Sequence, residues 1–122
     1  MLVVVGLLSY AESLLFPSTF ASENRFPLNL TKMPPFLGPL LVALAAGVGE
    51  EAVFRGALQP RFGILPTALL FAALHIQYQL PGIVVLFLMG LTFGLIKEWT
   101  STTFVACVHM LYDLGTLLLP GF

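Results

Sequence analysis

Thirteen residues without a charge, Phe36 to Val48, run directly into Glu50, Glu51 and Arg55, after which the apolar pattern resumes. At the centre of a membrane helix each ionisable residue costs about 2.5–3.5 kcal/mol, so three cost roughly 8–10 kcal/mol before any pairing. Groups kept at that cost mark a functional site whose partners stand on neighbouring helices. On a helix, Glu51 and Arg55 are i,i+4 and share a face, the favourable order for a carboxylate–cation pair. Glu50 points about 100° away from Glu51 and about 140° from Arg55, so it needs a partner of its own.

The membrane premise follows from composition. Charged residues make up 9% of the 122-residue chain, against about 25% in an average soluble domain. Hydrophobic residues make up 58% and the mean hydropathy is +0.98, which leaves too little polar surface for water to be the only solvent. A net charge of −1 argues against nucleic acid as a partner. The single Cys107 provides neither a disulfide framework nor a thiolate metal site.

In chain order, Met1–Phe16 is an apolar run lacking the basic n-region and cleavage site of a signal peptide. It is short for a span of about 20 residues, which predicts a truncated or tilted first helix in a piece of something longer. Pro17–Pro35 reads as a polar loop, and its Asn29-Leu30-Thr31 glycosylation pattern is of the kind that arises by chance. A second helix is expected from after Pro34-Pro35 to Leu58, stopped by Pro60. A third is expected over Leu65–Tyr78 and a fourth over Gly82–Ile96. After a turn at Lys97–Ser101 a fifth runs to Pro120. The expected fold is all-α, a polytopic transmembrane bundle of four to five helices. It divides into an N-terminal apolar helix and loop (1–35) and a helical core (36–119).

Two further constellations fall inside these apolar runs. Phe71 and His75 are i,i+4 on the third helix, and His109 and Asp113 are i,i+4 on the fifth. The chain has only two histidines, and neither is expected in a loop. Counted at about 1.5 Å per residue from the Arg61/Lys97 side, Glu50 and His109 come out about 12–14 Å deep, with His75 and Asp113 about 15–18 Å deep.

The patterns Glu50-Glu51-x-x-x-Arg55, Phe71-x-x-x-His75 and His109-x-x-x-Asp113, in that order, resemble the three signatures of the CPBP family. That family comprises the CAAX proteases and bacteriocin-processing enzymes, also called Abi or type II CAAX prenyl endopeptidase-like. The resemblance implies an intramembrane glutamate protease in the cell membrane. Its substrate would be a membrane-associated peptide or a prenylated protein, its other partner membrane lipid, and it would use no cofactor or metal. In that reading Glu50 is the general base and His75 helps hold the water. His109 and Asp113 face the oxyanion, while Glu51, Arg55 and Phe71 brace the site. An ionised Asp113 has no proton to give an oxyanion. It is therefore expected either to stay protonated or to orient a charged, donating His109. Relatives carry more helices than are counted here.

Three alternatives use the same residues. Glu50, His75, His109 and Asp113 make an adequate donor set for zinc, a cavity could bind a peptide without cutting it, as in an immunity or scaffold protein, and intramembrane carboxylates and histidines also build proton relays. Gly90-x-x-x-Gly94 and Ala43-x-x-x-Gly47 are expected to let helices approach closely. Ser101, Thr102 and Thr103 read as an N-cap cluster. Gln77, Tyr78 and Gln79 either admit water or substrate backbone to His75 or form an interfacial cap. By a small excess, the positive-inside rule puts Arg61 and Lys97 in the cytoplasm.

Overall fold

The computed structural model of the chain describes residues 2–18 and 33–119. Most of the expected polar loop, its Asn29 pattern and Pro120 lie outside them. The described residues form an all-helical bundle: α1 (Leu2–Leu15), α2 (Leu37–Phe62), α3 (Ile64–Ala73), α4 (Leu80–Trp99) and α5 (Thr102–Leu118). Two helices, α2 with 26 residues and α4 with 20, are long and apolar enough to cross a membrane; α3 and α5 are shorter. Many large apolar side chains point outward, among them Leu41, Val48, Val53, Leu65, Leu69, Leu95 and Leu111. That arrangement suits lipid better than water.

α2 departs from the expected helix. It starts as α-helix over Leu37–Leu44, then is π-wound over Ala45–Glu50 and again over Ala52–Leu58, returning to α over Gln59–Phe62. Pro60 does not stop it. The proline stands in the first turn after the π segment, where the change of hydrogen-bond step leaves a missing N–H cheap to accommodate. The stop comes at Gly63, whose φ of +82° reverses the chain into α3 within one residue, a conformation that glycine alone adopts without strain.

The other boundaries also shift. α3 ends at Ala73 rather than Tyr78, and His75 stands in the turn beyond it, outside the helix. α4 begins at Leu80 and takes in Lys97–Trp99, which the sequence places in a turn. Pro66 and Pro81 both fall in first turns, where proline is tolerated. The expected N-cap holds: Ser101 Oγ accepts from Phe104 N at 3.1 Å.

Small residues set the spacing. A Cβ on Gly47 would come within 2.7 Å of the Met110 backbone nitrogen, so α2 and α5 touch backbone to backbone. On Gly90 it would meet Ala68 Cα at 3.2 Å, and on Gly94 Ile64 Cγ2 at 2.7 Å. Both small-residue motifs thus work as expected. With α3 held this close, α2 also reaches α4: Arg55 Nη2 donates to Gly90 O (3.2 Å) and Gln59 Nε2 to Gly94 O (2.9 Å). Donors four residues apart meet carbonyls four residues apart. This ladder fixes the register of α2 on α4.

Candidate active site

From the junction of its two π segments, α2 presents a fully buried ion pair. Arg55 Nε lies 3.1 Å from Glu51 Oε2, with exposures of 1% and 0%. The guanidinium is boxed by aromatic faces, its Cζ 4.9 Å from the Phe71 ring centroid, 5.5 Å from Phe93 and 5.9 Å from Phe54. A desolvated cation gains from such faces, and Arg55 needs the Glu51 carboxylate because a lone buried charge would be prohibitive.

The other oxygen of Glu51 has a second partner that the sequence reading did not foresee. His109 Nδ1 lies 2.9 Å from Glu51 Oε1, both groups buried. With Glu51 held as a carboxylate by Arg55, Nδ1 is the donor. The far nitrogen, Nε2, stands 3.6 Å from Asp113 Oδ2, an electrostatic contact longer than a hydrogen bond. Phe93 covers the His109 ring at 5.1 Å between centroids.

Glu50 faces away from this pair, as its helical angle requires, toward His75 across from it. His75 Nε2 lies 3.8 Å from Glu50 Oε1. The imidazole is set by its other nitrogen, Nδ1, 2.7 Å from the Phe71 carbonyl oxygen. Because a carbonyl only accepts, Nδ1–H donates and Nε2 is the lone-pair nitrogen facing Glu50 when the ring is neutral. These two side chains are partly exposed, unlike Glu51, Arg55 and His109.

Phe71 joins the two halves. Its buried ring contacts the His75 ring at a tilt (4.7 Å), lies edge-on to Phe54 (5.1 Å) and reaches His109 (6.5 Å), besides carrying Arg55. Glu50, Glu51, His75 and His109 are all close enough to act electrostatically on Asp113. Three separate elements and one turn therefore bring the seven expected site residues into one neighbourhood.

Gln59 was missed by the sequence reading. It is buried and donates Nε2 to Glu98 Oε1 (2.7 Å) as well as to Gly94 O. Its spacing, four residues after Arg55 on the stripe that holds Glu51, was the available signal. Among the described residues, no three His, Cys, Asp or Glu side chains are grouped to hold a metal ion.

Comparison with known proteins bears on this constellation. Residues 32–115, two thirds of the chain, match the family described as type II CAAX prenyl endopeptidase Rce1-like. The chain is 29% identical over 114 residues to YpbD of Bacillus subtilis (strain 168), described as an uncharacterized protein. The alignment covers 91% of this chain and 60% of that relative's length. No solved structure matches the chain. The family is one of membrane-embedded proteases, and its match spans all three signatures found in the sequence. On that evidence the chain belongs to the Rce1-like family of type II CAAX prenyl endopeptidases.

Proposed function

We propose that the chain is an intramembrane endopeptidase, in which Glu50 and His75 activate water against a peptide bond of a membrane-associated substrate, prenylated CAAX-type proteins among the candidates. The observation that carries the reading is the Glu50–His75 pair: a carboxylate and an imidazole 3.8 Å apart, partly exposed, beside a buried and fully braced second histidine. Residues 36–119 form the catalytic core in this reading, with 1–35 as an accessory helix and loop. The protein is a multi-pass component of the cell membrane.

In the reaction, Glu50 takes a proton from a water held with His75, and the water oxygen bonds to the scissile carbonyl carbon. The carbonyl electron pair moves onto oxygen. His109 receives that oxyanion through Nε2–H, which requires the imidazolium, because Nδ1–H is already committed to Glu51. Asp113 and Glu51 flank this cation, so Asp113 serves the charged His109 and does not itself donate. Collapse of the intermediate breaks the C–N bond, and the proton held by Glu50 passes to the leaving amine. A donor fixed before the reaction on a buried side chain such as His109 is the most effective kind of oxyanion stabilisation.

The zinc alternative is disfavoured by the split of the four donors into two pairs, Glu50 with His75 and His109 with Asp113, with no three such donors grouped among the described residues. Cleavage of a peptide panel in membranes, wild type beside Glu50→Gln, tests the proposal. Wild-type cleavage that survives chelators and vanishes in Glu50→Gln is expected. Equal cleavage by both proteins would refute the assigned base. Peptide retention by both proteins without cleavage would favour the non-catalytic binding role.

A further inference from the structure

The turn that carries His75 lies at a depth where irregular backbone needs an explanation. Ile64 faces Gly94 and Ala68 faces Gly90, so the end of α3 at Ala73 is level with Val85, and the turn beyond it brings His75 to 3.8 Å from Glu50. From there α4 continues upward through Leu80–Val84, about 8 Å, and residues 75–78 connect the two helices without i,i+4 bonding. His75 N bonds Ala72 O, and Tyr78 N closes a β-turn onto His75 O at 3.0 Å. At the corner of that turn, Ile76 and Gln77 have N–H groups with no backbone partner among the described residues. Both side chains are exposed, Ile76 by 84%. In hydrocarbon each such N–H would cost several kcal/mol, and irregular backbone is tolerated at that depth only where protein or water meets it.

We infer that the His75–Tyr78 turn lines an aqueous inlet, open at the Leu80 end of the bundle, through which water and an extended peptide reach Glu50 and His75. The opposite end, bearing Arg61, Lys97 and the exposed Trp99, is about 21 Å away along α4 and is the wrong side for access. The free N–H groups of Ile76 and Gln77 are donors for substrate carbonyls. Exposed Leu74, Ile76 and Leu80 offer an apolar rim for its side chains. The peptide half of this inference rests on the proposed protease activity; the water half does not.

The test is cysteine labelling in sealed vesicles with a charged, membrane-impermeant methanethiosulfonate. The background is Cys107→Ser, since Cys107 is exposed. Gln77→Cys should react at least about tenfold faster than the outward-facing Leu95→Cys, because water must be present for the thiolate to form. It should do so from the side opposite to that which labels Trp99→Cys. Labelling as slow as Leu95→Cys, or from the Trp99 side, overturns the inlet. The adduct at Gln77→Cys should lower cleavage about tenfold through blocked access, whereas that at Trp99→Cys should leave it unchanged. Unchanged cleavage after Gln77→Cys labelling overturns the peptide half. Labelling is read without any protease activity, so an inlet without cleavage would refute the protease and leave the inlet standing.

Discussion

Glu50 with His75 and Glu51 with His109 are two carboxylate–imidazole pairs made from adjacent glutamates, yet they are built to opposite specifications. The first is loose, 3.8 Å and partly exposed. The second is tight, 2.9 Å and buried, with Arg55 on the remaining oxygen and aromatic rings around it. A carboxylate that must move a proton to and from water has to be left room and access. One that must hold a histidine in a single orientation should have neither. In the proposed reaction, the one-residue step along α2 separates the structural pair from the reactive one.

That contrast can be broken most forcefully at Glu50. Glu50→Gln should abolish membrane cleavage, a loss of at least about a thousandfold for a general base and water-holding group acting together, while thermal unfolding stays within a few degrees of wild type. Glu51→Ala should do the reverse in kind, leaving Arg55 buried without a counter-charge. The expected loss is about 3–5 kcal/mol of stability, read as a large fall in the unfolding midpoint in detergent. If Glu50→Gln proved the destabilising change and Glu51→Ala the benign one, the division between the pairs would be wrong.

Packing offers a sharper comparison of smaller size. Gly47→Ala must push a methyl group into the Met110 backbone, and about 1–3 kcal/mol of destabilisation is expected. Gly49→Ala, two residues on, meets nothing within 4 Å. It should be neutral or slightly stabilising by about 0.5 kcal/mol, as alanine replacing glycine in a helix usually is. Least of all should change in Asp113→Asn. If His109 alone donates to the oxyanion, cleavage should stay within a few fold of wild type. A loss like that of Glu50→Gln would make the Asp113 carboxylate essential.

The sequence carried the site further than it carried the fold that holds it. Ionisable side chains in lipid are so costly that their spacing announces itself, and the Glu51–Arg55 pair lies where a helical wheel puts it. The motif glycines were equally legible, since close helix approach has few other solutions. The partner on the second Glu51 oxygen was not, because that contact joins residues 58 apart and depends on how α5 is rotated against α2. Nor was the end of α3. Leu74, His75 and Ile76 continue an apolar helical pattern, and nothing local says that the His75 ring will turn back to the Phe71 carbonyl. The Pro60 expectation failed because proline rules assume α winding throughout.

The π-wound stretch of α2 has a consequence for how such a chain tolerates change. Hydrogen bonds that skip one residue further store spare length in the backbone. Loss of a single residue between Ala45 and Glu50 can be absorbed by tightening to α-helix there, leaving Arg55 and Gln59 seated on α4 and Glu51 on His109. The adjustment falls upstream, where Ala43 would rotate off α5. The spacing of the buried polar residues and the seating of the upstream half of this helix are thus separately adjustable.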